Sequence, residues 1–445
     1  MPEGDRQLAR AIAAEAARRG GRAYYVGGLV RDGLLGRESK DVDIEVHGLA
    51  PQALEAILGG FGAWMKKGSS FPVYGLRHHA LDIALPRGEG PAQEVPFIGV
   101  REAARRRDFT INAMMEDVLT GELIDPFSGR QDLAQGVVRH VDDATFVQDP
   151  LRALRAAQLA ARLGFSVAQE TVSLCRGLDL AALPGERVFG ELQKALLGAP
   201  APSVFFAVLR EMDQLHGWFP ELQALVGVAQ DARVHPEGDA FCHTMQVLDR
   251  AAALRDRARE PLAFMLSALC HDLGKATTTR RDGDRIRSIG HERAGVPMAQ
   301  ALLGRMTAEK RLLRYVESMT LLHMRPRLLA AQGSGVNAFC RMFDRSACPQ
   351  DLLLLARADA MGRGSLGEDA AQRACMEEML RVYEERLALS GVQGLDLIAA
   401  GFAPGEDFAG ALAYAHGLKL SGVKKEDALR QTIAYLRRAG AGDGM

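Results

Sequence analysis

An α+β fold is expected, with a head of mixed strands and helices around a small mixed sheet, followed by a long all-α body. Two observations predict that division. Up to about residue 140, apolar runs of period two alternate with short helical patterns. Beyond Asp149, alanine, leucine and arginine recur at helical spacing almost to the end, with little strand signal. A third observation bounds the cores: 445 residues, 47% of them hydrophobic, leave room for about two to four domains.

Residues 5–19 alternate apolar and charged positions at helical spacing, and Gly20-Gly21 ends them. The run Tyr24-Tyr25-Val26 predicts a strand leading into Gly27-Gly28. A short helix is expected from Leu29 to Leu35, stopped by Gly36. Asp41-Val42-Asp43-Ile44-Glu45-Val46 alternates strictly and predicts a second strand. Residues 51–59 read as a helix, and His79 to Leu85 as a further strand. Pro86 through Val100 is rich in Gly and Pro and predicts a loop. Linkers are expected near 227–238 and 362–368. The chain holds no internal repeat and no low-complexity segment.

The formal charge of −1 excludes a uniformly basic nucleic-acid binder. A polyanion would have to meet local patches, and Arg105–Arg107, Lys424-Lys425 and Arg437-Arg438 are the candidates. Six cysteines (175, 242, 270, 340, 348 and 375) form no Cys-x-x-Cys pair, which predicts buried thiols in a reducing compartment. No basic-then-apolar leader is expected, and no apolar run approaches the length of a membrane span. These features predict a soluble cytoplasmic protein.

Four constellations carry chemistry. In the strand 41–46, Asp41 and Asp43 point to one face, about 7 Å apart. Such a pair can hold Mg²⁺ together with substrate phosphates. Gly27 and Gly28 let backbone amides approach a phosphate, and Arg31 lies about one helical turn further on. The stretch reads as a nucleoside triphosphate site with a two-metal centre. Asp82 is a candidate third carboxylate from a neighbouring strand, or else a surface residue. Arg105-Arg106-Arg107-Asp108 leads directly into Phe109-Thr110-Ile111-Asn112, and its arginines can neutralise phosphates. Asp108 and Asn112 would reach a ribose if that stretch is helical.

In Asp149-Pro150-Leu151-Arg152-Ala153-Leu154-Arg155, Asp149 is the better helix cap and Pro150 suits the first turn. Asp149, Arg152 and Arg155 recur every three residues and would share one side of the helix, as a surface ion pair or as a template for a nucleobase edge. Finally, His271-Asp272 closes an apolar helix, with His243 upstream and His291, His323 and Asp359 downstream. Mixed nitrogen and oxygen ligation suits Mn, Fe, Co, Ni or Zn better than Mg alone. Water activated by such a metal would hydrolyse a phosphate ester.

These residues resemble a known family. Gly27-Gly28-Leu29-Val30-Arg31-Asp32, Asp41-Val42-Asp43, Arg105 through Met114, and Asp125-Pro126 with Gly129, Asp132 and Leu133 are similar to class II tRNA nucleotidyltransferases of the polymerase-beta-like superfamily. The likeness continues through Asp149 to Arg155, Arg162-Leu163-Gly164-Phe165, and Glu186-Arg187-Val188 with Glu191-Leu192. The group includes CCA-adding enzymes, partial CC- or A-adding enzymes and poly(A) polymerases. Residues around His243, His271-Asp272, His291, His323 and Asp359 resemble an HD-type phosphohydrolase domain, which some bacterial CCA-adding enzymes carry.

The resemblance implies a nucleotidyltransferase head over 1–140, a base-reading and RNA-binding helical region over 141–225, an HD domain over 226–365 and C-terminal helices over 366–445. It implies that Gly28, Arg31, Arg107, Asp108, Asp149, Arg152 and Arg155 bind the nucleotide. Asp41 and Asp43 would hold Mg²⁺, with Asp82 joining them in catalysis. His243, His271, Asp272, His291, His323 and Asp359 would hold a second divalent metal: Ni, Mn, Co, Fe or Mg. The partners implied are the tRNA acceptor arm, ATP and CTP. Gln148 stands where the family often has Glu, Gln158 where a further Arg is common, and the loop between Asp82 and Arg105 is short. Those departures leave CC- or A-addition and poly(A) synthesis beside full CCA addition. A chiefly hydrolytic HD enzyme is the alternative of another class.

Overall fold

The computed structural model describes residues 3–38, 42–67, 72–88, 94–233, 235–363 and 369–439. Asp41 and part of the expected linker at 362–368 lie outside them. The chain divides into two compact units, one of residues 1–183 and 204–217 and one of residues 184–203 and 218–445.

The first unit opens with helix α1 (Glu3–Arg18), strand β1 (Arg22–Val26), helix α2 (Gly28–Leu34), strand β2 (Val42–His47) and helix α3 (Pro51–Gly59). Strands β3 (Trp64–Lys67), β4 (Val73–Leu76) and β5 (Leu81–Ala84) follow. Helix α4 (Val100–Arg105) precedes β6 (Met115–Asp117) and β7 (Leu123–Ile124). The seven strands form one mixed sheet in the order β3-β4-β5-β2-β1-β6-β7. Only the β2–β5 pair is parallel, and it sets Asp43 directly beside Asp82.

Period two explains β2. Val42, Ile44 and Val46 are buried in a core built with Ile12 and Ala16 of α1 and Leu54, Ile57 and Leu58 of α3. Asp43, Glu45 and His47 occupy the other face. Strands β3, β4, β6 and β7 extend the expected sheet. Their segments are only two to four residues long, too short for a periodic signal.

Helix α5 (Gly129–Gln135) owes its start to Asp125, whose carboxylate accepts from the Gly129 and Arg130 amides at 2.7 and 2.9 Å. Gly129 is obligatory, because a β-carbon there would lie 2.3 Å from the Thr110 carbonyl oxygen. The short helix α6 (Asp143–Phe146) precedes α7 (Leu151–Leu163), whose first amide, that of Leu151, donates to Asp149 Oδ1 at 3.2 Å.

Among its described residues the second unit is helical apart from one hairpin, Arg280–Asp282 paired with Arg285–Arg287. Residues 263–270 of helix Pro261–Cys270 are all buried, so the helix runs through the centre of its unit and delivers His271 and Asp272 into the interior. Gly274 then passes against helix His291–Gly304, where an added β-carbon would sit 2.0 Å from the His291 carbonyl oxygen. All six cysteines are free. Four are buried, while Cys242 and Cys375 are half-buried rather than fully enclosed. Among the described residues, no helix is long and apolar enough to cross a membrane.

Candidate active sites

In the head, β1 ends at the Gly27-Gly28 turn, where Gly27 takes φ +68. Arg31 Nη2 and Arg107 Nη1 lie 3.4 and 3.6 Å from where β-carbons on Gly28 and Gly27 would stand. Two guanidinium groups therefore flank a turn with no side chain of its own. Arg31 is buried and held by Asp32 Oδ1, at 2.8 Å from Nε, and by Asn112 Oδ1, at 2.7 Å from Nη1. Arg107 donates through Nη2 to Glu45 Oε2 at 2.8 Å, while its buried Nε finds no acceptor among the described residues.

Glu45 also meets Nε2 of His47 at 2.9 Å. Burial alone would raise its pKa, but the Arg107 charge and the His47 contact hold it below the usual carboxylate range. The charge of Arg107 also bears on Arg87, as do those of Arg152 and Arg155. Asp43 and Asp82 stand abreast on β2 and β5, and Lys67 Nζ lies 4.0 Å from Asp82 Oδ1. Among the described residues these two carboxylates are the candidate cation ligands of the head. Carboxylates side by side in register suit a hard ion such as Mg²⁺.

The helix on which a joint ribose contact by Asp108 and Asn112 is conditional does not form. Phe109 is extended, and residues 110–112 make only a 3-10 turn. Asp108 is buried and accepts from the Phe109 amide, Asn112 Nδ2 and Arg155 Nε, at 2.8, 3.0 and 2.8 Å. Burial opposes its charge, but Arg155 and Asn112 outweigh burial and lower its pKa. Asp149 precedes α7 and accepts from the Leu151 amide, as expected of the cap, and its charge, like that of Arg155, bears on Arg152. Arg152 is anchored to the carbonyl oxygens of Thr145 and Arg106, each at 2.8 Å, and its guanidinium lies 5.8 Å from the Phe146 ring centroid.

In the second unit the six expected ligands converge. His271, His291 and His323 each place Nδ1 against a backbone carbonyl three residues upstream, at 2.7 to 2.8 Å. A carbonyl only accepts, so Nδ1 carries the proton and Nε2 presents a lone pair. Nε2 of His271 and of His291 each lie 3.2 Å from an Asp272 oxygen. His323 Nε2 is 3.2 Å from His291 Nε2, and His243 Nε2 is 3.1 Å from Asp359 Oδ1. His271 Nε2 is buried without a hydrogen-bond partner among the described residues. Four imidazoles and two carboxylates facing inward fit a divalent transition metal.

Asp272 and Asp359 are held well below the usual carboxylate range. Burial opposes this, but His271 and Lys275 at Asp272, and Arg363 and His243 at Asp359, outweigh it. Burial lowers the His323 pKa to about 3, helped by the charge of His271.

Residues that sequence reasoning passed over complete both sites. Glu45 is one, visible as the next same-face carboxylate after Asp43. Glu237 is another: its Oε1 meets Nδ1 of His243 at 2.6 Å and Nδ1 of His235 at 2.8 Å. The expected linker at 227–238 is thus part of the site, because it carries both His235 and Glu237. Lys275 Nζ bridges Asp272 Oδ2 and Gln230 Oε1, each at 2.7 Å. Of the expected basic patches, Arg105 pairs with Asp142 at 2.8 Å and Lys425 with Asp396 at 2.9 Å, while Arg437 and Arg438 are exposed.

Comparison with known proteins matches these two centres. Residues 23–139 match the poly(A) polymerase head domain, 164–225 a probable RNA- and SrmB-binding site of polymerase A, and 240–364 the HD domain. The multifunctional CCA protein of Laribacter hongkongensis is 40% identical over 367 residues, covering 78% of this chain and 87% of the relative. That of Xanthomonas campestris pv. campestris is 36% identical over 428 residues, covering 92% and 99%. A CCA-adding enzyme solved with ATP shares the fold with TM-score 0.68 at 20% identity, over 98% of this chain and 95% of the other. The Thermotoga maritima CCA-adding enzyme solved with tRNA does so with TM-score 0.64 at 20% identity, over 97% and 95%. With relatives this similar over nearly its whole length, the chain belongs to the multifunctional CCA protein family.

Proposed function

We propose that this chain is a tRNA nucleotidyltransferase that adds CCA to the 3′ end of tRNA without a template, from CTP and ATP. The observation that carries the reading is the paired guanidinium groups of Arg31 and Arg107 at the bare Gly27-Gly28 turn, with Arg107 Nε buried and without an acceptor among the described residues. Arg107 and Arg31 neutralise the triphosphate there, and Gly28 admits it closely. Asp41 and Asp43, with Asp82 alongside, would hold Mg²⁺, which would supply acidification of the RNA 3′-hydroxyl and neutralisation of the departing pyrophosphate. Asp149 and Arg152 read the base edge, and Arg155 and Asp108 brace that wall. Side chains thus choose the base, and the helical regions bind the tRNA acceptor arm by shape and phosphate contacts. The protein works in the cytoplasm.

The HD centre is a second, phosphohydrolytic site. His243, His271, Asp272, His291, His323 and Asp359 hold Ni, Mn, Co or Fe, with Mg a weaker fit to so many imidazoles. Lys275 orients Asp272, and Glu237 fixes the tautomer of His243.

Sequencing the 3′ ends made on tRNAs that stop before, within and after CCA tests the first reading. Stepwise completion to CCA supports it, and a homopolymeric tail replaces it with poly(A) synthesis. Asp41→Ala with Asp43→Ala abolishes incorporation; substantial residual activity would sink the assignment. Metal-dependent phosphatase activity retained in both His271→Ala and Asp272→Ala would exclude the proposed HD ligands.

A further inference from the structure

Arg107 and Glu45 are joined by one hydrogen bond where their chemistry allows two. Arginine–carboxylate pairs are frequently bidentate, with two parallel N–H···O bonds. Here the Arg107 guanidinium makes a single hydrogen bond among the described residues, from Nη2 to Glu45 Oε2 at 2.8 Å. The second carboxylate oxygen, Oε1, is taken by Nε2 of His47 at 2.9 Å. A carboxylate oxygen only accepts, so that nitrogen carries a proton. His47 is itself fixed. It is buried, its ring stands edge-on to that of Tyr24 with centroids 5.2 Å apart, and Nδ1 lies 3.4 Å from the Ile98 carbonyl oxygen. Two Arg107 nitrogens are thereby left to the pocket. Nε is buried without an acceptor among the described residues, and Nη1 lies 3.6 Å from where a β-carbon on Gly27 would stand.

We infer that His47 is a positioning residue of the nucleotide pocket, and that it acts by occupying one oxygen of Glu45. With Oε1 committed to the imidazole, Glu45 fixes Arg107 through Nη2 alone and leaves Nε and Nη1 for the phosphates. Without the imidazole donor, Oε1 is a buried carboxylate oxygen with no partner, a costly state. Arg107 is the other hydrogen-bond partner of Glu45 among the described residues, so a second bond from its guanidinium relieves that cost. The carboxylate then holds a donor that the triphosphate needs. His47 touches no nucleotide; it sets how much of Arg107 the pocket can use. The inference rests on the nucleotidyltransferase reading of the head.

The test is a double-mutant cycle on the full chain, read by steady-state incorporation of CTP and ATP into tRNA. Its members are the parent, His47→Phe, Glu45→Gln and the double variant. Phenylalanine keeps a ring against Tyr24 and removes the donor. His47→Phe raises the nucleotide KM about tenfold and leaves kcat within about twofold. Glu45→Gln raises KM in the parent background but lowers it in the His47→Phe background, because an amide has one acceptor oxygen and cannot grip the guanidinium twice. His47→Gln, whose amide donates to Oε1 in place of the ring, stays within about threefold of the parent. A double variant with a higher KM than His47→Phe, a loss confined to kcat, or no change in His47→Phe overturns the inference. Should His47→Phe not fold, His47→Leu repeats the cycle. If the parent incorporates neither nucleotide, equilibrium binding of CTP decides. Weaker binding by His47→Phe that Glu45→Gln reverses keeps the role of His47 and removes only the transfer reading, and any other pattern removes both.

Discussion

Replacing Glu45 separates the positioning of Arg107 from its charge. Glu45 is buried on the Asp43 face of β2, and it ties both Arg107 Nη2 and His47 Nε2. Truncating one partner of a fully buried ion pair costs about 3–5 kcal/mol. The Arg107 side chain keeps 21% of its exposure, so water recovers part of that loss. Glu45→Ala should then cost about 2–3 kcal/mol in urea denaturation, and Glu45→Gln, which keeps an acceptor for Arg107, about 1 kcal/mol. Two effects on the nucleotide oppose each other. Removing the carboxylate makes the pocket more positive, which favours triphosphate; it also frees the guanidinium that Glu45 aims at the Gly27-Gly28 turn. Arg31 flanks the same turn, and Arg87 feels the charges of Arg107, Arg152 and Arg155, so one more unit of positive charge adds little. Orientation should win, raising KM for ATP and CTP roughly tenfold in Glu45→Ala, with Glu45→Gln between it and the parent. Steady-state incorporation assays read this directly. A KM that falls in both variants would refute the positioning argument and leave charge as the governing effect.

Three further outcomes follow from the same structure. Glu237→Ala should weaken metal binding at the HD centre about 10- to 100-fold in calorimetric titration of the metal-free chain, because His243 loses the carboxylate that orients it; unchanged affinity would show that Glu237 is only packing. Gly274→Ala should destabilise the second unit by about 3 kcal/mol, since its β-carbon meets backbone rather than a movable side chain, and a melting curve indistinguishable from the parent's would contradict the close approach. Asp108 has its folded-state pKa depressed, so the stability it contributes is complete above its unfolded value of about 4 and is lost as pH falls through the folded value. Asp108→Asn should therefore melt lower at neutral pH and show a flatter dependence on acidification below about pH 4; parallel pH profiles for variant and parent would exclude that role.

How much was legible in the sequence depended on whether a signal was local. Strand β2 declared itself because one face had to be apolar while the other carried Asp43 and Glu45. The partner of Asp43 did not: that Asp82 stands beside it is a matter of parallel register, which alternation alone does not fix. The six HD ligands were legible as types in order, since few residues bind metals. Their convergence was not, because His243 and Asp359 lie 116 positions apart. The hairpin 280–287 was missed for a different reason. Its strands read Arg-Arg-Asp and Arg-Ile-Arg, almost without apolar residues, and only the Gly283-Asp284 turn betrays it. The linker reading of 227–238 failed because irregular backbone and low hydrophobicity describe a site-bearing loop as well as a spacer.

The near-zero net charge of a chain proposed to act on a triphosphate, an RNA end and a phosphate ester is compatible with how its cations are mounted. Arg31 sits on Asp32, Arg107 on Glu45, Arg155 on Asp108, Lys275 on Asp272 and Arg363 on Asp359. Each carboxylate cancels one charge in the total and fixes one cation in place. A mobile lysine or arginine loses rotamer entropy when it meets phosphate. Here that ordering occurs on folding, and the carboxylates leave donors such as Arg107 Nε without an acceptor among the described residues. Net charge therefore understates the affinity of such a pocket for anions. Neutralising a carboxylate should impair phosphate recognition by disordering the cation it holds, and that is the outcome Glu45→Ala is designed to read.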